Sequence, residues 1–177
     1  MQHISHYDSP LGAILLAADD TGLTGLWFEE QKYFAAGLDD KCEERELPVF
    51  ETAKRWLDIY FSGNEPDFTP PLNFIGTEFQ KEVWEILLTI PYGRTMSYGE
   101  IAKRIAGKRE TEHLSAQAVG GAVGHNKISV IVPCHRVVGS NGSLTGYAGG
   151  IDKKIRLLEL EKTDMKGLSI PKKGTAL

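Results

Sequence analysis

The sequence predicts an α/β protein in two parts, a β-led first segment and a mainly helical second one. Three features carry this. The apolar runs "GAILLAA" and "GLTGLWF" flank a turn at Asp19-Asp20-Thr21-Gly22 and read as a hairpin. The stretch "NEPDFTPPLNF" breaks the pattern, because Pro70-Pro71 suits neither a helix nor a central strand. After it, apolar residues recur at steps of three and four. The expected domains are 1–72 and 73–177.

Taken in order, His3-x-x-His6 falls at the start of an expected strand. The hairpin follows, then "EEQKYFAAGLDDKCEERELP", charged and without a clear period. From Val49 the spacing turns helical through Phe50, Ala53, Leu57 and Tyr60, and Gly63-Asn64 ends that helix. The second segment opens with a helix whose face is Phe79, Val83, Ile86, Leu87 and Ile90, stopped by Pro91-Tyr92-Gly93. Ser97 and Glu100 have capping-box spacing, which predicts a helix from Ser97 to about Gly107. After the link "KRETEHL", Ser115 can cap a third helix, "AQAVGGAVGHN". These two short helices make a helix-turn-helix candidate, although Lys108 to Leu114 is longer than a compact turn.

The third helix is nearly without side chains, and each interior glycine costs about 1 kcal/mol relative to alanine. Either it packs tightly against another helix, or its bare face enters a narrow nucleic-acid groove. A strand, "ISVIVP", is then expected to carry Cys134 to its end. A glycine-rich loop, "GYAGG", leads into a last helix from about Ile151 to Lys162, striped by Ile151, Ile155 and Leu158. Glu161 falls near that apolar face, where an unpaired carboxylate is costly to bury. The tail, "KGLSIPKKGTAL", looks loose.

Composition narrows the class. With 41% apolar and 25% charged residues the chain reads as globular. No apolar run approaches the roughly 20 residues of a membrane span, and the first residues lack a signal-peptide pattern. Two cysteines are too few for a disulfide scaffold and a reducing compartment suits free thiols, so a cytoplasmic location is expected. Residues 1–72 carry 5 Lys/Arg against 14 Asp/Glu, and residues 73–177 carry 15 against 10. A basic second half can supply phosphate contacts, or the charges are merely scattered. Lys103, Arg104, Lys108 and Arg109 read as a generally basic face.

Cys134 is either a buried filler or a nucleophile. A thiol of ordinary pKa is only roughly 3% thiolate at pH 7, and a neighbouring base changes that. His135 follows immediately. In an extended strand the two would point to opposite faces, so they cooperate only through a bend or a bridging water. Glu161 could orient His135, giving a Cys–His–Glu relay. Zinc fits poorly, because Cys42 and Cys134 are far apart and there is no C-x-x-C. Cys42 itself reads as inert.

"FQKEVWEILLTIPYGRTMSYGEIA", "AVGGAVGHNKISVIVPCHRV" and "PCHRVVGSNGSLTGYAGG" resemble the O6-alkylguanine-DNA alkyltransferases over residues 74–162. The resemblance implies a ribonuclease-H-like α/β domain followed by a mainly helical, winged-helix-like domain with a helix-turn-helix. It implies a single-turnover reaction without metal or organic cofactor. Cys134 would take the alkyl group from O6 of a guanine flipped out through the minor groove of double-stranded DNA. O4-alkylthymine, the range of alkyl groups and cooperative loading stay open, and a monomer is expected. His135 would activate the thiol through a water, with Glu161 behind it. Tyr98 would donate to the base and press the 3′ phosphate, and Asn126 would be the hinge before the active-site strand. Tyr147, Ala148, Gly149 and Lys154 would surround the alkyl pocket over Val137 and Val138. Gln117, Ala118 and Gly121 would meet DNA, and Arg136 joins that set unless it bonds carbonyls near the cysteine loop. The family often has an arginine at the position of Gln117, which fills the gap left by the flipped base. Glutamine is shorter and uncharged, which bears on flipping and affinity rather than on chemistry.

Three other classes compete with this one. A non-reacting lesion binder needs no nucleophile, a thiol hydrolase leaves the bare helix unexplained, and a helix-turn-helix regulator needs side chains that read base edges.

Overall fold

In the computed structural model, which describes residues 1–110 and 114–171, the chain forms two compact units. The first contains residues 1–75 and 127–131, the second residues 76–126 and 132–171 of the described chain. No helix among the described residues is long and apolar enough to cross a membrane.

The first unit is built on a sheet of order β3-β2-β1-β4, from β1 (His3–Ser9), β2 (Gly12–Ala18), β3 (Leu23–Phe28) and the short β4 (Glu43–Glu44). The predicted hairpin is β2–β3, antiparallel with Leu15 opposite Trp27 and Leu16 opposite Leu26. Alternation places Leu15, Ala17 and Trp27 on one face, under Ile4, Ala35 and Leu38. Helix α1 (Pro48–Phe61) lies against β1 and β2 and buries Phe50, Ala53, Trp56, Leu57 and Tyr60. Proline at its first turn lacks only an N–H that has no helical partner there. The β4 strand had no signal in the sequence, since Glu43 and Glu44 are exposed and pair with β1 over two residues only.

Two passages of chain cover the free edge of β3. Leu23 N donates to Pro71 O at 2.8 Å, and Leu26 N donates to Lys127 O at 2.8 Å. Ser129 Oγ also donates to Gln31 Oε1 at 3.1 Å.

Here the structure corrects an expectation. The run "ISVIVP" is not a strand, because only Ile128 bridges, to Leu26. Ile131 N donates two residues back to Ser129 O at 2.8 Å around Val130, whose φ is +69°. Cys134 N likewise donates to Val132 O at 2.8 Å around Pro133. Residues 128–134 are buried, so the apolar pattern reports burial, while tight three-residue turns satisfy these donors. A buried β-branched residue at positive φ is strained and persists only where its surroundings hold it.

The second unit is helical. Its α2 (Glu78–Leu87) starts with a capping box between Thr77 and Gln80, and buries Val83, Trp84, Ile86 and Leu87. A two-residue parallel ladder joins β5 (Met96–Ser97) to β6 (Val137–Val138). Directly after β5 comes α3 (Tyr98–Lys108), with the predicted capping box between Ser97 and Glu100. Ser115 caps α4 (Ala116–Gly124) as expected, and α3 packs against α4. Part of the link between them, residues 111–113, lies outside the described residues. Trp84 Nε1 donates to Ala122 O at 2.9 Å and ties α2 to α4. The last helix, α5 (Ile151–Leu160), presents Leu158, Ile151 and Ile155 to Val138, Leu144, Met165 and Leu168. Of the tail expected to be loose, Ser169 bridges to Ser143, and residues 172–177 lie outside the described ones.

Candidate active site

The second unit contains an open groove of about 680 Å³ lined by Tyr98, Ala116, Gln117, Gly120, Gly121, Thr145 and Gly146. One wall is α4. It turns Val119, Ala122 and Val123 inward and leaves Ala116, Gln117, Ala118 and Gly121 exposed. Close packing does not explain the glycines, because a Cβ at Gly121 or Gly124 would meet nothing within 4 Å among the described residues. Of the two readings of this helix, the bare outward face remains.

Cys134 begins a 3-10 turn, Cys134–Arg136, that ends where β6 starts. The turn supplies the bend that an extended strand would lack. Cys134 is buried, and Asn126 Nδ2 donates to Sγ at 3.2 Å and to Val132 O at 2.9 Å. Burial pushes the thiol pKa up. The Asn126 hydrogen bond, the Lys154 charge and nearby backbone donors oppose this without overturning it. At rest the sulfur carries its proton.

His135 follows, fully buried, with Nε2 2.5 Å from Glu161 Oε2. Glu161 stands just past the end of α5, where the helix terminus is electrostatically unfavourable for an anion. Its other oxygen, Oε1, accepts from Arg136 Nε at 2.7 Å and from Gly93 N at 3.1 Å. Burial alone would raise the Glu161 pKa, but the charges and hydrogen bonds of His135 and Arg136 hold it well below the carboxylate range. Burial drives His135 the other way, toward the neutral imidazole, against the pull of Glu161. The state that satisfies both is a carboxylate against a neutral ring whose Nε2–H donates to it.

Lys154 is fully buried on α5, and its Nζ donates to Val137 O at 2.5 Å and Thr145 O at 2.7 Å. Burial lowers its pKa to about 8, while the Cys134 charge favours the ammonium. Tyr98 Oη donates to the same carbonyl, Thr145 O, at 2.9 Å. Burial, with Cys134 nearby, pushes the Tyr98 pKa up to about 12, so this phenol stays a donor. Gly146, at φ +79°, leaves the space for it, since a Cβ there would come within 2.6 Å of Tyr98 Oη. The β5–β6 ladder keeps Tyr98 and the Cys134 turn in register, with Met96 opposite Val137.

Cys134, His135, Glu161, Asn126, Tyr98 and Lys154 thus converge. Tyr147 is buried with its ring edge-on to His135, centroids 6.4 Å apart, and Ala148 and Gly149 follow half-buried. Val137 and Val138 are buried beneath. Arg136 departs from the DNA-facing set. It is 8% exposed, and besides Glu161 it donates through Nη1 to Ile90 O at 2.7 Å. The guanidinium is used inward because a buried carboxylate and a carbonyl compete for it. On the exposed basic face, Arg109 is occupied by Glu82 at 2.9 Å.

The sequence reading missed Gly93 N, Ile90 O and Thr145 O. These are main-chain atoms, which residue type does not flag. Only the Pro-Tyr-Gly turn gave a signal, read as a helix stop; Gly93 sits there at φ +76°.

Two family models match the chain: "6-O-methylguanine DNA methyltransferase, ribonuclease-like domain" over residues 3–74, and "6-O-methylguanine DNA methyltransferase, DNA binding domain" over residues 78–163. The methylated-DNA–protein-cysteine methyltransferase of Mycobacterium tuberculosis is 46% identical over 163 residues, covering 92% of this chain and 94% of that one. The protein of the same name from Methanosarcina acetivorans is 47% identical over 155 residues, covering 88% and 95%. Among solved structures, Mycobacterium tuberculosis OGT in complex with DNA aligns with a TM-score of 0.77 at 46% identity, covering 90% of this chain and 92% of that one. An O6-methylguanine DNA methyltransferase from Methanococcus jannaschii aligns with a TM-score of 0.60 at 27% identity, covering 97% and 99%.

Proposed function

This chain belongs to the 6-O-methylguanine DNA methyltransferase family, whose work is DNA repair by alkyl transfer to a cysteine, and we propose that here the acceptor is Cys134. The observation that carries the assignment is a buried thiol followed directly by an imidazole that a buried carboxylate holds at 2.5 Å. The substrate is double-stranded DNA carrying an O6-alkylguanine, with the lesion turned out of the stack toward the groove between α4 and Tyr98. A few kcal/mol is the cost of unstacking, least for a mispaired base.

In the reaction, Sγ attacks the alkyl carbon in line with its bond to O6. The sulfur–carbon bond forms as the carbon–oxygen bond breaks, and the electron pair of the broken bond stays on the guanine. The thiol proton passes through a water to Nδ1 of His135, since Nε2–H is committed to Glu161. Tyr98 leaves Thr145 O to donate to the purine as charge develops there. Lys154 faces the sulfur as a buried cation and favours the thiolate. The thioether does not revert, so each chain acts once. Ala116, Ala118, Gly120 and Gly121 let the helix backbone approach the minor groove, with Gln117 beside the vacated base position. Phosphate contacts that ignore sequence make binding strongly salt-dependent. The protein acts as a monomer, in the cytoplasm.

The test is to incubate the protein with a duplex containing one O6-methylguanine and measure intact mass, with Cys134→Ala in parallel. One methyl gained by the wild type alone, mapped to Cys134, is expected. Binding of the lesion without any gain in mass would overturn the assignment.

A further inference from the structure

We propose that Arg136 is a positioning residue that sets the proton inventory of the Cys134–His135–Glu161 relay, and that it does so through the outer oxygen of Glu161. This rests on the alkyl-transfer reading above. It follows from how the buried charges are arranged. Arg136, Glu161 and neutral His135 together carry no net charge, and Glu161 is almost fully enclosed. Glu161 Oε1 is held by Arg136 Nε at 2.7 Å and Gly93 N at 3.1 Å, which aims Oε2 at His135 Nε2. Arg136 Nη1 is anchored on Ile90 O at 2.7 Å, and its guanidinium lies 5.7 Å from the centre of the Tyr92 ring. The same arginine therefore braces the turn that precedes β5 and, through it, Tyr98.

Without that cation, a buried carboxylate must find its positive charge elsewhere. The imidazole is in hydrogen-bond contact and would take a proton from solvent to supply it. A relay holding that extra proton cannot accept the one from the thiol. Of the other groups facing His135 and Glu161, only Lys154 acts in the same sense as Arg136, and more weakly, its Nζ donating to Val137 O and Thr145 O. Lys154 opposes protonation of His135, the Cys134 thiol is neutral at rest, Tyr98 is a neutral phenol, and Tyr147 meets the imidazole with its ring edge-on. Arg136 thus keeps the ring in its neutral, proton-accepting form at neutral pH. The titration belongs to the coupled pair rather than to either group alone.

The experiment compares wild type, Arg136→Met and Arg136→Lys in single-turnover methyl transfer from pH 5 to 9. Proton and nitrogen NMR of the His135 ring is followed over the same range without DNA. For Arg136→Met the acid limb of the rate and the ring titration both move up by at least about one pH unit, with a loss of about tenfold or more at pH 7. Arg136→Lys, which returns a cation, keeps both near the wild type. A uniform fall in rate at every pH, with an unmoved ring titration, would overturn the proposal and leave a purely structural arginine. If the methionine variant does not fold, the lysine variant decides, and an upward move of one unit in its ring titration refutes the proposal. Failure of the wild type to accept methyl would sink the alkyl-transfer reading instead, whatever the ring titration does.

Discussion

Replacing Glu161 by glutamine changes one atom and forces a choice on the network. The carboxamide has one acceptor and one donor end. Two donors, Arg136 Nε and Gly93 N, converge on the Oε1 position at 2.7 and 3.1 Å, and one of them is charged. The amide oxygen must go there, so the amide NH₂ faces His135 Nε2. That nitrogen then has to accept, and the ring proton moves to Nδ1, the nitrogen that serves the thiol. Loss of a general base in this way costs about 10²- to 10⁴-fold in rate. The buried guanidinium also loses its counter-ion, worth about 3–5 kcal/mol. For a chain of this size that lowers the melting temperature by about 10 °C. The sign with pH is definite. Because the folded pKa of Glu161 is depressed, its stabilisation is full above the ordinary glutamate range and lost as pH falls through the lower folded value. Wild type and Glu161→Gln therefore differ most near pH 7 and converge in acid. Single-turnover transfer and thermal melts at pH 7 and pH 3 make the comparison. Transfer within threefold of wild type, with an unchanged melting temperature at pH 7, would refute the relay.

Other residues give independent checks. Asn126→Ala removes the donor to Val132 O and Cys134 Sγ; we expect a loss of about 1–3 kcal/mol in urea unfolding and slower thiol labelling by iodoacetamide. Gly121→Ala meets nothing within 4 Å and gains helix propensity, so it raises stability by up to about 1 kcal/mol, whereas Gly121→Leu leaves folding intact but weakens binding to duplex DNA in a filter or anisotropy assay. Lys154, with its folded pKa lowered to about 8, binds fewer protons than the unfolded lysine above that pH. In a Cys134→Ser background, which removes the thiol's own titration and the charge that favours the ammonium, urea stability therefore rises toward about pH 10 from about pH 8 or below, and Lys154→Met abolishes that rise.

Local signals were legible wherever a short-range rule decides the backbone. Ser97 with Glu100, Ser115 before the alanine-glycine run, and the turn between β2 and β3 all lie where their spacing places them. The stretch before Cys134 departs from the strand its pattern predicts for a physical reason. Buried and extended are different properties, and an apolar run such as "ISVIVP" reports the first. Whether its N–H groups find a neighbouring strand or fold back on their own carbonyls depends on the chain around it. Arg136 shows the same limit for a side chain. A charged residue beside an active cysteine is as consistent with a phosphate contact as with a buried ion pair, until Glu161 and Ile90 O are seen on its two ends.

The sequence by itself determined the chemical parts: a thiol beside an imidazole, a carboxylate on an apolar face, and a helix nearly without side chains. Those follow from residue type and near-neighbour spacing, which act over a few residues. Only the tertiary structure decided what the parts do to one another. It brings Glu161 from 26 positions away onto His135, sets Gly93 N and Arg136 on its other oxygen, and places Tyr98 and Lys154 on one carbonyl. Protonation states, and hence the direction in which a proton can move, depend on charges and burial within a few ångströms. Those distances exist only in the folded chain.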